Sequence, residues 1–117
     1  MVFSPVSNEG KQTQKGGGIM GKYLLLWSLN QNLVPADPKE RASGWGMLME
    51  MVKQDLNQGI AKDWGSFPGE NKGYCIVEGN PLDVMKMTQQ YSPHVGFEVH
   101  PVASVDDIGD LLKHMSG

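Results

Sequence analysis

Two short segments of this chain are apolar at every position, and they constrain its fold more than anything else in it. They are Tyr23-Leu24-Leu25-Leu26-Trp27 and Tyr74-Cys75-Ile76-Val77. Their β-branched and aromatic content marks them as strands. Successive side chains of a strand point to opposite faces of its sheet. A sheet with one wet face therefore alternates apolar with polar residues, and these two segments do not. Both faces of the sheet need cover.

The elements around them supply the order. Asp37-Pro38-Lys39-Glu40 opens a helix: Asp37 is a cap, Pro38 suits the first turn, and Glu40 lies three residues after the cap. Ala42, Trp45, Met49, Val52 and Leu56 then recur at helical spacing, which predicts one apolar face, and Gly59 is the stop. Ile60 to Phe67 reads as a strand, and Pro68 to Gly73 has hairpin-turn chemistry. After the strand Tyr74–Glu78, Asn80-Pro81-Leu82-Asp83 repeats the capping logic. Val84, Met87 or Thr88, and Tyr91 continue a short helix that Ser92-Pro93 ends. Phe97 to Val102 is the last strand, with Pro101 placing it at an edge or at its end. Ser104 and Asp107 cap a closing helix carrying Ile108, Leu111, Leu112 and Met115.

Strand, helix, strand, strand, helix, strand and a terminal helix make an α+β chain with the ferredoxin-like βαββαβ order. An antiparallel four-stranded sheet is expected, with both crossover helices on one face. The short third helix is too small to cover the other face, and a second copy of the chain is the economical cover, paired sheet to sheet about a twofold axis. The competing arrangement folds the third helix across the open face of a monomer.

Composition bounds the rest. The 117 residues suit one domain. A net charge of -3 and a pI near 5.5 speak against general nucleic-acid binding, which needs a basic surface. The apolar run from Tyr23 to Trp27 is far too short for a membrane span. The single cysteine, Cys75, has no partner for an internal disulfide, so a reducing, cytoplasmic setting is expected. Residues 1–19 lack apolar periodicity and are expected to be disordered. Lys15-Gly16-Gly17-Gly18 precedes Met20 at the distance of a ribosome-binding site encoded in purine-rich codons. Two readings of the leader follow: a flexible tail, or translated upstream sequence with Met20 as the native start. The folded domain is expected over residues 20–117.

The order of elements resembles the dimeric α+β barrel superfamily, which includes muconolactone-isomerase-like and antibiotic-biosynthesis-monooxygenase-like proteins. Gly73-Tyr74-Cys75-Ile76-Val77-Glu78-Gly79, followed by a short helix and Phe97-Glu98-Val99-His100-Pro101-Val102, is similar to a prokaryotic domain family of unknown function within that group. The resemblance covers roughly Lys22 to Met115 and implies the fold and a homodimer. It also implies a cavity between sheet and helices or inside the barrel, where some members do cofactor-free chemistry.

The residues most able to carry chemistry are Glu98 and His100. At i and i+2 on one strand they share a face, while Phe97 and Val99 take the helix-packed face. A histidine base tuned by a neighbouring acid is one use of such a pair; a polar edge strand is the plainer one. Trp27, Trp64 and Tyr74 are aromatic strand residues that suit a ligand cavity or, more simply, core packing. Trp45 falls on the apolar helix face and reads as core. Cys75 has no basic neighbour in sequence and reads as an inert thiol. His94, His100, His114 and Cys75 have no zinc-like spacing, so no metal is expected, and no motif implies a cofactor.

Three functional readings follow. The first is a homodimer that binds a small, partly apolar molecule. The second is a cofactor-independent oxygenase or isomerase with His100 as base and Glu98 as its partner. The third is a structural or regulatory protein without catalysis.

Overall fold

The computed structural model describes residues 21–117, and the leader 1–19 lies outside them. The order is β1 (Gly21–Leu29), α1 (Pro38–Asn57), β2 (Ala61–Ser66), β3 (Lys72–Gly79), α2 (Pro81–Gln89), β4 (Val95–Val102) and α3 (Val105–Ser116), with a short 3-10 turn at Gln31–Leu33. The four strands form one antiparallel sheet in the order β2-β3-β1-β4. This is the ferredoxin-like α+β arrangement read from the sequence. β4 is an edge strand, which is where Pro101 costs no ladder bond on its open side.

The helix starts follow the capping residues. The Glu40 amide donates to Asp37 Oδ2 at 3.2 Å. Asn80 with Asp83, and Ser104 with Asp107, form reciprocal capping boxes. α1 ends in a Schellman motif: Gly59 adopts a φ of 79°, its amide donates to the Leu56 carbonyl at 3.2 Å, and the Ile60 amide donates to the Asp55 carbonyl at 3.0 Å.

Register sorts the side chains. Trp27 lies opposite Gly73 and Phe97, Leu25 opposite Cys75 and Val99, and Tyr23 opposite Val77. This is the helix-covered face, and the core forms on it from Leu25, Trp27, Ala61, Cys75, Val77, Val84 and Met87. Leu25 and Val77 are fully buried, and each such side chain contributes about 1.5–3 kcal/mol. Phe97 packs against this core, as its parity predicts. Val99 shares the face but is 43% exposed.

The other face carries Leu24, Leu26, Tyr74, Ile76, Glu98 and His100 in adjoining rows. None of these six is buried. α3 does not cover them: it buries none of its residues, and Val105, Ile108, Leu112 and Met115 are between 47% and 87% exposed. No helix among the described residues is long and apolar enough to cross a membrane.

Candidate functional site

The site begins with glycine. Gly73 has no side chain opposite Trp27, so the indole lies across that strand position, with its Nε1 donating to the Gly65 carbonyl at 3.2 Å. Trp64 on β2 then stacks on Trp27, with ring centroids 5.3 Å apart and planes 8° apart. Trp45 of α1 meets the same indole edge-on, at 6.0 Å and 74°. All three tryptophans of the chain therefore converge between the sheet and α1. Tyr91 and Phe97, in edge contact at 5.8 Å, continue the wall.

A cavity of about 30 Å³ remains inside these rings. Its one acidic lining residue is Asp55, in the last turn of α1 and only 4% exposed. A buried carboxylate is costly unless its oxygens find donors. The Tyr91 hydroxyl donates to Asp55 Oδ2 at 2.6 Å, and Gln90 Nε2 approaches Oδ1 at 3.5 Å, a weak bond. Burial and the bond to Asp55 together push the Tyr91 phenol far up from its ordinary value. Cys75 also lines the cavity; burial first, then the Asp55 charge, raises its thiol to about 11. A thiol raised in this way is held in its neutral form near pH 7, the form that is a poor nucleophile.

A larger cleft of about 160 Å³ adjoins the cavity and shares Leu29, Trp45, Leu48 and Tyr91 with it. Its walls are largely apolar, from the β1–α1 loop and the first half of α1. Arg41, Asn30, Gln90 and His94 add polar groups. The Arg41 guanidinium is tied to the loop, donating from one nitrogen to the Pro35 and Ala36 carbonyls at 3.2 and 2.6 Å.

The expected site residues divide between the two faces. Trp27 and Trp64 line the cavity. Tyr74 lies on the open face, beside Leu26, where its hydroxyl donates to Asp63 Oδ2 at 2.7 Å and that bond raises its phenol. Glu98 and His100 also lie on the open face. His100 Nε2 is 2.9 Å from Glu98 Oε2, and both side chains are largely in solvent. They do not reach the tryptophans, because their strand parity is opposite to that of Phe97.

Sequence reasoning missed Asp55. The spacing predicts Leu56 on the apolar face of α1, yet Leu56 is 38% exposed and Asp55 is buried. The available signal was positional: Asp55 follows Leu48 by seven residues and Val52 by three, so it continues the same helix stripe. Tyr91 was placed on its helix face, but nothing in the sequence paired it with Asp55.

Among the described residues, no group of three or more His, Cys, Asp or Glu side chains is placed to hold a metal ion. No family model matches this chain, and no curated protein shows a significant match to it.

Proposed function

We propose that this protein is a homodimer that binds a small, partly apolar molecule in the cleft between α1 and the sheet. The observation that carries this reading is the aromatic cavity around Trp27, Trp45 and Trp64, opening beside a mostly apolar cleft of about 160 Å³. Apolar concave sites with a few polar groups are where small ligands bind. The homodimer rests on two apolar surfaces of the same chain: the half-buried sheet face of Leu24, Leu26 and Ile76, and the exposed outer stripe of α3. The arrangement is that of a dimeric α+β barrel, and a cytoplasmic setting agrees with the free, buried thiol of Cys75.

Native mass spectrometry of the purified full-length protein tests both parts. A twofold mass carrying small-molecule adducts that Trp45→Ala removes is the expected result. A bare monomer at micromolar concentration overturns the dimer.

A second reading is favoured by the Glu98–His100 pair. On the sheet face that a second copy would enclose, His100 serves as a general base oriented by Glu98, in a cofactor-independent oxygenase or isomerase. His100→Ala separates the two: it abolishes turnover in an enzyme and leaves affinity for a ligand in the α1 cleft unchanged within about twofold. A purely structural or regulatory role is the outcome if neither ligand nor turnover is found.

A further inference from the structure

We infer that the ligand is an organic amine whose ammonium group sits beside Asp55 while its apolar tail lies in the outer cleft. This inference rests on the α1 cleft being a ligand site, and it names the ligand's chemistry.

Charge comes first. Asp55 is a carboxylate 4% exposed in a cavity lined by no Lys, Arg or His among the described residues. Its partners, the Tyr91 hydroxyl and Gln90 amide, are neutral donors. It also sits in the last turn of α1, the negative end of the helix dipole, and that turn holds no basic residue. The helix end and the acid side chain act in the same direction there, toward a cation.

The walls point the same way. Aromatic faces attract ammonium groups through the ring quadrupole, tryptophan most strongly, and the effect grows when water is excluded. Trp27, Trp45, Trp64, Tyr91 and Phe97 surround the cavity that Asp55 lines. A purely apolar ligand would gain from the rings but leave Asp55 with only its neutral donors, Tyr91 and the weakly bound Gln90.

Size and polarity set the orientation. A cavity of about 30 Å³ admits a group of water size, which an ammonium head is and a branched tail is not. The cleft of about 160 Å³ beside it takes a short hydrocarbon tail. Arg41 lines that outer cleft, so the reverse orientation would bring the ammonium toward a guanidinium.

The test uses the full-length protein, with 3-methylbutylamine and its neutral counterpart 3-methylbutanol as probes, read by tryptophan fluorescence at pH 7. The amine should bind saturably and at least tenfold more tightly than the alcohol. Asp55→Asn should bring the two within about twofold of each other, and Trp45→Leu should weaken the amine several-fold more than the alcohol. If the alcohol binds as tightly as the amine, or Asp55→Asn leaves their ratio unchanged, the cation assignment fails and the cleft remains a site for neutral ligands. If neither compound binds in the millimolar range, the amine assignment fails, and the adducts sought by native mass spectrometry decide separately whether the cleft is a ligand site. Should Asp55→Asn not fold, Trp45→Leu decides, and an unchanged amine-to-alcohol ratio overturns the assignment.

Discussion

The Tyr91 hydroxyl donates to the Asp55 carboxylate at 2.6 Å, tying the end of α1 to the turn after α2 across 36 residues of chain. Removing one partner of a buried bond strands the other, and stranding costs more than the bond itself contributes. Tyr91→Phe should therefore destabilise the fold by about 1–3 kcal/mol in urea unfolding. Asp55→Asn, which keeps an acceptor, should cost less. A double-mutant cycle should return a coupling of at least about 0.5 kcal/mol, and no coupling would mean that the bond is not formed in solution.

Gly73 and Gly46 should respond in opposite ways to alanine. A Cβ at Gly73 would meet Trp27 Cζ2 at 2.6 Å, where the indole is already held by Trp64 and Gly65. Gly73→Ala should destabilise by about 1–3 kcal/mol or prevent folding. Gly46 lies inside α1 with nothing within 4 Å of a new Cβ, so Gly46→Ala should stabilise by about 0.5–1 kcal/mol. Thermal unfolding of the two variants reads the difference directly.

Cys75 predicts a pH dependence. Its thiol is raised from 9.0 to about 11 in the folded protein, so between those values the native state holds a proton that the unfolded chain has lost. Stability contributed by the neutral thiol is complete below pH 9 and falls as pH rises toward 11. The raised phenols of Tyr74 and Tyr91 extend the decline above pH 10. Cys75→Ala should flatten the part between 9 and 11. Native protein should react slowly with a thiol reagent at pH 8 and quickly once unfolded.

Ile76 sits at the middle of the uncovered sheet face, opposite Leu24 and Asp63. Ile76→Glu should leave the monomer fold intact and abolish the dimer, read as a halved mass in light scattering. If the variant keeps the mass of the wild type, the sheet face is not the dimer interface.

Glu98 and His100 form an exposed pair, and exposed pairs contribute little. His100→Ala should change stability by less than about 1 kcal/mol, so any loss of activity in that variant reports chemistry and not unfolding.

The sequence by itself determined the element order, the three helix starts and the separation of Phe97 from Glu98 and His100 on the last strand. Those features rest on neighbours within four residues: Asn80 with Asp83, Ser104 with Asp107, and the period-two alternation that separates Phe97 from Glu98. The apolar runs around Leu25 and Val77 also required cover on both faces, whatever provides it. Only the tertiary structure decided that Trp27, Trp45 and Trp64 meet, that Tyr74 stands on the opposite face, and that Asp55 is buried where Leu56 was expected. The physical reason lies in the partners. A carboxylate enters the core only where distant donors satisfy it, and Tyr91 and Gln90 lie 36 and 35 residues away. No local pattern in a chain specifies such a meeting until strand order and register have brought the two ends together.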